Sequence, residues 1–176
     1  MSIELILGGA RSGKSALALQ RAQASGKAVT FIATASAGDA EMTARIKRHR
    51  AERPTHWALV EEPIALAKVL QQHAAPQHCL LVDCLTLWLS NLSGNEGFDN
   101  QQFINQRDAL LQTLPQLPGE LIMVSNEVGL GIIPLGEISR RFVDEAGRLH
   151  QQLATLCNRV TFVAAGLPLT LKPQIH

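Results

Sequence analysis

The stretch Ile3-Glu4-Leu5-Ile6-Leu7-Gly8-Gly9-Ala10-Arg11-Ser12-Gly13-Lys14-Ser15 decides the fold. A short apolar run holding one acid ends in two glycines. From Lys14 to Ala24 the apolar positions Leu17, Leu19 and Ala22 return at helical spacing, so strand, glycine loop and helix follow in order. Gly8 to Ser15 satisfies G-x-x-x-x-G-K-[ST] in the context that its mechanism requires. Glycines let backbone N–H groups turn toward phosphate oxygens, the helix N-terminus adds positive potential, Lys14 reaches the β- and γ-phosphates, and Ser15 can ligate Mg²⁺. Gly8, Gly9, Ala10, Arg11, Ser12, Gly13, Lys14 and Ser15 are therefore the expected phosphate cradle. The plainer alternative is an ordinary glycine turn opening a helix.

The same alternation continues outward. Ala28 to Thr34 reads as a strand, Asp39 to Ala51 as a polar helix anchored by Met42 and Ile46, Trp57 to Val60 as a short strand and Ile64 to His73 as a helix. Cys79 to Leu85 is a continuous apolar run around one acid, as expected of a central strand covered on both faces. Ser90 to Asn100 reads as a loop, and Asp99 to Leu114 as a helix ended by Pro115 and Pro118. Leu121 to Ser125 is a further strand, Gly129 to Gly136 a loop, Glu137 to Leu156 a long helix and Val160 to Ala164 a last interior strand. The tail from Leu167 adds an edge strand or stays irregular. Strands alternating with helices predict an α/β fold, a mostly parallel sheet with helices on both faces and ligands at the carboxyl ends of the strands.

The 176 residues are 46% hydrophobic and carry a formal charge of +1, which fits one domain spanning residues 1–176 and provides no global field for DNA or an anionic membrane. No apolar stretch approaches the roughly 20 residues of a membrane span. The opening residues lack the layout of a secretory signal. Cys79, Cys84 and Cys157 form no C-x-x-C pair, which fits a reducing, cytoplasmic setting and a role as small core residues.

A phosphate loop of this kind needs an acid at the end of another strand to hold Mg²⁺ directly or through water. Asp83, after Leu80, Leu81 and Val82, is the candidate, with a capping acid as the alternative. No N-K-x-D tetrapeptide occurs, and the D-x-x-G at Asp144 to Gly147 lies inside an expected helix. A signalling GTPase is thereby disfavoured, and the length suits a small-molecule kinase or nucleotidyltransferase.

Charge is local. Arg45, Lys47, Arg48, Arg50 and Arg53 surround His49 with only Glu52 opposing, so this window carries +4 and the remainder of the chain −3. On a helix, Arg45 and Arg53 share a face with His49. Neighbouring cations disfavour imidazolium, keeping the ring neutral and nucleophilic while attracting phosphates. A solvated basic face and a nucleic-acid contact are the competing readings, the second weakened by the lack of interleaved aromatics. His56, His73, His78 and His150 show no metal-ligand spacing, and the last three are expected near helix or strand ends.

The segments GGARSGKS at 8–15, FIAT at 31–34, EMTARIKRHRAERPTHW at 41–57, LLVDCLTLWLSNL at 80–92, VSNEVGLGIIP at 124–134 and RRFVDEAGRLHQQLA at 140–154 resemble the bifunctional adenosylcobinamide kinase / adenosylcobinamide-phosphate guanylyltransferase family of cobalamin biosynthesis. The resemblance covers nearly the whole chain. It implies a RecA-like P-loop NTPase fold, a ring-like homotrimer and two reactions. These are phosphorylation of the aminopropanol hydroxyl of adenosylcobinamide by ATP or GTP, and transfer of GMP from GTP to adenosylcobinamide phosphate, giving adenosylcobinamide-GDP. It further implies His49 as the residue that carries GMP, and nucleotide contacts from Ala33, Thr34, Ala35, Arg50, Ala51, Glu52, Arg53, Glu61 and Asp83. Asp83 stands where members can carry the longer Glu, which leaves open whether its metal contact is direct. Arg48 stands where some relatives have a second histidine. Asn126 and Glu127 follow a strand end, and Glu127 is a candidate substrate contact or a loop-structuring residue. Two rival readings stay open: a single-activity P-loop kinase, and a noncatalytic nucleotide-binding regulator.

Overall fold

The computed structural model describes residues 1–35, 53–94, 98 and 101–173. The expected helix from Asp39 to Ala51 falls outside them. The chain opens with strand β1 (Ser2–Gly8), helix α1 (Lys14–Ala24), β2 (Ala28–Ala33), β3 (Ala58–Glu61) and α2 (Leu66–His73). It continues with β4 (His78–Asp83), α3 (Leu85–Ser93), α4 (Gln101–Thr113), β5 (Glu120–Asn126), α5 (Glu137–Leu156), β6 (Arg159–Ala164) and β7 (Leu167–Lys172). Among the described residues these strands form one sheet in the order β3-β2-β4-β5-β1-β6-β7. All pairings are parallel except β6 with β7, so the tail forms an antiparallel edge strand.

Two layers of core follow from the pleat, which sends successive side chains to opposite faces. Leu5, Leu80, Val82, Leu121 and Met123 meet Trp88, Leu89, Phe103, Leu110 and Leu149 from α3, α4 and α5 on one face. Ile6, Phe31, Leu81, Ile122 and Val124 meet Ala18 and Ala22 of α1 on the other. Glu4, the acid inside the first apolar run, is buried on that second face, where Arg21 of α1 pairs with it and Thr161 Oγ1 donates to Oε1 at 2.9 Å. An uncompensated carboxylate could not sit there.

The apolar run from Cys79 is not one strand. β4 ends at Asp83, and Leu85 to Ser93, of which the sequence reads Leu85 as strand and Ser90 onward as loop, is helix α3. Leu85, Trp88, Leu89 and Leu92 are its buried residues, a spacing of three and four masked by the apolar strand just before it. Trp88 Nε1 donates to Ile64 O at 2.8 Å, which anchors the helix beside α2. Helix α4 ends at Thr113 and passes Pro115 in a single tighter turn over Leu114–Gln116. His150, expected near an element end, lies well inside α5 and is buried. Cys79, Cys84 and Cys157 are buried free thiols, as expected. Burial pushes Cys79 and Cys84 up to about 11 and Cys157 up to about 12, which makes them inert core residues.

Candidate functional site

The loop between β1 and α1 is shaped by two residues in the left-handed region, Arg11 at φ 56° and Gly13 at φ 98°. Their alternation with right-handed neighbours turns successive backbone N–H groups to one side, the geometry of an anion nest. Gly13 is also the residue before α1 and has no side chain to satisfy the first-turn amides. Gly8 is required by space: a Cβ there would lie 2.5 Å from Val163 O and 2.6 Å from Ser12 Oγ. Lys14 is buried, and its Nζ donates to Gly9 O at 2.9 Å, so the ammonium is directed back over the loop. Ser12 Oγ is buried with no hydrogen-bond partner among the described residues. Loop amides, an ammonium and an orphaned hydroxyl gathered at a strand-to-helix turn fit a phosphate chain.

Asp83 ends β4, in register with Ala33 of β2 and Val124 of β5. β5 lies between β4 and β1, so two interstrand steps, about 10 Å, separate Asp83 from the phosphate loop laterally. The turn after Asp83 is held firmly. Thr34 Oγ1 donates to Cys84 O at 2.7 Å and accepts from Cys84 N at 2.9 Å, and Asn91 Nδ2 donates to Thr34 O at 2.8 Å. Thr34 thus spends its hydroxyl on joining the ends of β2 and β4.

The remaining expected contacts gather at the other side of the sheet. Ala33 and Glu61 pair at the ends of β2 and β3, and Ala35 follows two residues later. The Arg53 guanidinium stacks on Phe31 of β2, 4.3 Å from the ring centroid. Glu61 is four interstrand steps, about 19 Å, from β1. The fold therefore divides the expected residues into the phosphate loop with Asp83 and the β2–β3 edge with Arg53. His49, Arg50, Ala51 and Glu52 lie outside the described residues.

At the end of β5, between Asp83 and the phosphate loop, runs a largely buried polar chain that motif spacing does not reveal. Asn126 N donates to Thr86 Oγ1 at 2.7 Å, and Thr86 Oγ1 lies 3.2 Å from Ser125 Oγ. Ser125 Oγ is in turn 2.7 Å from His150 Nε2. His150 Nδ1 faces Glu127 Oε2 at 3.5 Å. Glu127 is tied to the phosphate loop, since its N donates to Gly8 O at 3.0 Å, while Oε1 accepts from Gly129 N at 2.7 Å. Burial lowers the His150 pKa against the opposing pull of the Glu127 carboxylate. Within the sequence His150 is one more histidine in an amphipathic helix, and only the meeting of α3, α5 and β5 sets it apart.

The family model for cobinamide kinase / cobinamide phosphate guanyltransferase matches residues 4–171. The chain belongs to this family. It is an enzyme of phosphoryl and guanylyl transfer. The bifunctional adenosylcobalamin biosynthesis protein CobP of Pseudomonas aeruginosa is 60% identical over 171 residues, covering 97% of this chain and 98% of the relative. The bifunctional adenosylcobalamin biosynthesis protein CobU of Escherichia coli is 36% identical, covering 96% of this chain and 98% of its own length. Among solved structures, a RadB recombinase aligns with a TM-score of 0.52 at 18% identity, covering 92% of this chain and 73% of its own. The flagellar accessory protein FlaH of Methanocaldococcus jannaschii aligns at 0.50 and 12%, covering 97% and 78%. These last two likenesses concern the fold, a RecA-like P-loop sheet.

Proposed function

We propose that this enzyme phosphorylates the aminopropanol hydroxyl of adenosylcobinamide with ATP or GTP, and then converts adenosylcobinamide phosphate to adenosylcobinamide-GDP through a guanylyl-histidine at His49. The observation that carries the reading is the phosphate loop, with its nest at Arg11 to Gly13 and Lys14 turned over it, in a chain 60% identical to a bifunctional relative. In the first reaction the loop amides and Lys14 hold the β- and γ-phosphates while the substrate hydroxyl attacks the γ-phosphorus. In the second, the neutral His49 imidazole attacks the α-phosphorus of GTP and pyrophosphate leaves. The phosphate of the corrinoid substrate then attacks the same phosphorus and frees the histidine.

Ser15 and Asp83 are a hydroxyl and a carboxylate, hard oxygen donors of the kind that hold Mg²⁺ with phosphate and water completing the octahedron. With β5 between β4 and β1, Asp83 would hold such an ion through water. Mg²⁺ bound there supplies neutralisation of phosphate charge. Ala33 to Ala35, Arg50 to Arg53 and Glu61 are assigned to the nucleotide at the β2–β3 edge. Arg53, stacked on Phe31, is pre-organised for that task. A single domain serves both reactions, in the cytoplasm and as a homotrimer. Leu167, Leu169 and Leu171, exposed along β7, are apolar surface suited to burial between copies, and sedimentation of wild type beside Leu169→Lys tests the assembly.

The chemistry is tested by incubating the protein with Mg²⁺ and GTP labelled at the α-phosphate. The expected result is an acid-labile, alkali-stable protein adduct that disappears in His49→Ala. A label that persists in that variant removes His49 as the carrier. Phosphoryl transfer without any labelling identifies a single-activity kinase, and nucleotide binding without turnover identifies a regulator.

A further inference from the structure

The chain Thr86–Ser125–His150–Glu127 has a direction. His150 is 6% exposed and Ser125 is 2% exposed, so their polar atoms must find partners inside the protein. A neutral imidazole carries one N–H and one lone pair. His150 Nδ1 has no hydrogen-bond partner among the described residues, and it is aimed at the Glu127 carboxylate. A lone pair there would oppose an acceptor, so the proton belongs on Nδ1. Nε2 then accepts from the Ser125 hydroxyl, Ser125 accepts from Thr86, and Thr86 accepts the Asn126 amide. In that arrangement each proton finds an acceptor. The 3.5 Å between Nδ1 and Oε2 is longer than a formed hydrogen bond, and such contacts commonly shorten when substrate closes a site.

Glu127 stands where this chain meets the phosphate loop. It follows the end of β5, the strand between β4 with Asp83 and β1 with Gly8, and its own N–H is bonded to Gly8 O. Its side chain is 21% exposed, so the carboxylate reaches the solvent side. One lone pair of Oε1 is taken by Gly129 N and one of Oε2 faces His150, which leaves each oxygen further accepting capacity.

We propose that Glu127 receives the proton of the phosphate-accepting hydroxyl in the kinase half-reaction, and that His150 is the positioning residue that fixes the carboxylate for it. This deepens the proposed function and rests on it. The hydroxyl oxygen bonds to the γ-phosphorus, the bond from that phosphorus to the β–γ bridging oxygen breaks, and the nucleoside diphosphate departs with the electron pair. The hydroxyl proton passes to a Glu127 oxygen and from there to water. Ser125 and Thr86 hold the imidazole in the tautomer that keeps its N–H on Glu127.

The test measures transfer of labelled γ-phosphate to adenosylcobinamide, beside labelling of the protein by α-labelled GTP, with a urea midpoint recorded for each variant. Glu127→Gln is expected to lower kcat on the order of 100-fold, with KM within about threefold and α-phosphate labelling unchanged. His150→Asn keeps an N–H near the Nδ1 position and is expected to retain more kcat than His150→Gln, which keeps only the contact with Ser125. A Glu127→Gln enzyme with kcat within about threefold of wild type overturns the proton transfer. A His150→Gln enzyme more active than His150→Asn overturns the positioning role. A loss confined to KM or to the urea midpoint assigns both residues to loop structure and also overturns it. A wild type that transfers no γ-phosphate to adenosylcobinamide contradicts the proposed function itself, whereas intact transfer in both wild type and Glu127→Gln removes this inference alone.

Discussion

Two acidic side chains on the same sheet are held by different means. Glu4, at the amino end of β1, is buried against the Arg21 guanidinium with Thr161 donating to it. Glu127, beyond the carboxyl end of β5, faces His150 at 3.5 Å and keeps part of its surface toward solvent. In the first, a cation and a hydroxyl meet one oxygen of a buried carboxylate, as a charge inside a core requires. The second uses a partner that can change its proton, holds it through hydroxyls, and leaves accepting capacity on the carboxylate. The difference follows the sheet, whose carboxyl end is where ligands meet the loops.

The strongest way to break the comparison is a paired substitution. Glu4→Ala leaves Arg21 without its buried partner and is expected to cost about 3 kcal/mol of stability by urea unfolding, with kcat of the folded enzyme unchanged. Glu127→Gln is expected to do the reverse, losing turnover while its urea midpoint stays near wild type. Equal stability losses at the two positions would make Glu127 a second structural pair.

Acid sharpens the contrast. Burial lowers the His150 pKa below its ordinary value of 6.5, so below that pH the unfolded chain binds a proton that the native chain resists. This contribution to stability is fully present above pH 6.5 and is lost as pH falls toward the depressed native value. Urea midpoints between about pH 7.5 and pH 5 should therefore fall less in His150→Leu than in wild type.

Smaller effects test two hydroxyls, Thr86 on α3 and Thr161 on β6. Thr86→Val deprives the Asn126 amide of its acceptor and should cost about 1–3 kcal/mol. Thr161→Val removes one hydrogen bond to a carboxylate that keeps Arg21, and about 1 kcal/mol is expected from thermal unfolding. At the bottom of the scale, Gln151→Ala beside His150 changes only an exposed side chain and should move stability by less than about 0.5 kcal/mol. A larger effect there would show that helix α5, rather than the imidazole, carries the difference.

Legibility in the sequence followed local constraint. The phosphate loop could be read because a tight strand-to-helix turn around phosphate needs glycines, a lysine and a hydroxyl at fixed offsets, and the backbone adopts that turn at Arg11 and Gly13. Helices α1 and α5 were legible to the residue because their polar and apolar faces alternate at 3.6. Helix α3 was not, because Leu85 to Leu89 follows the apolar run of strand β4 with only Asp83 and Cys84 between, and the two together blur the change of period.

The sequence alone determined the order of strands and helices around the phosphate loop, the acid ending β4 and the local concentration of charge around His49, since each depends on neighbours along the chain. Only the tertiary structure decided that β5 stands between Asp83 and the phosphate loop, that Arg53 stacks on Phe31 across the sheet from that loop, and that His150 meets Ser125 and Glu127. Strand order and the facing of α5 onto the sheet arise from burying two apolar layers at once. That global condition joins residues more than twenty positions apart, and no local spacing records it.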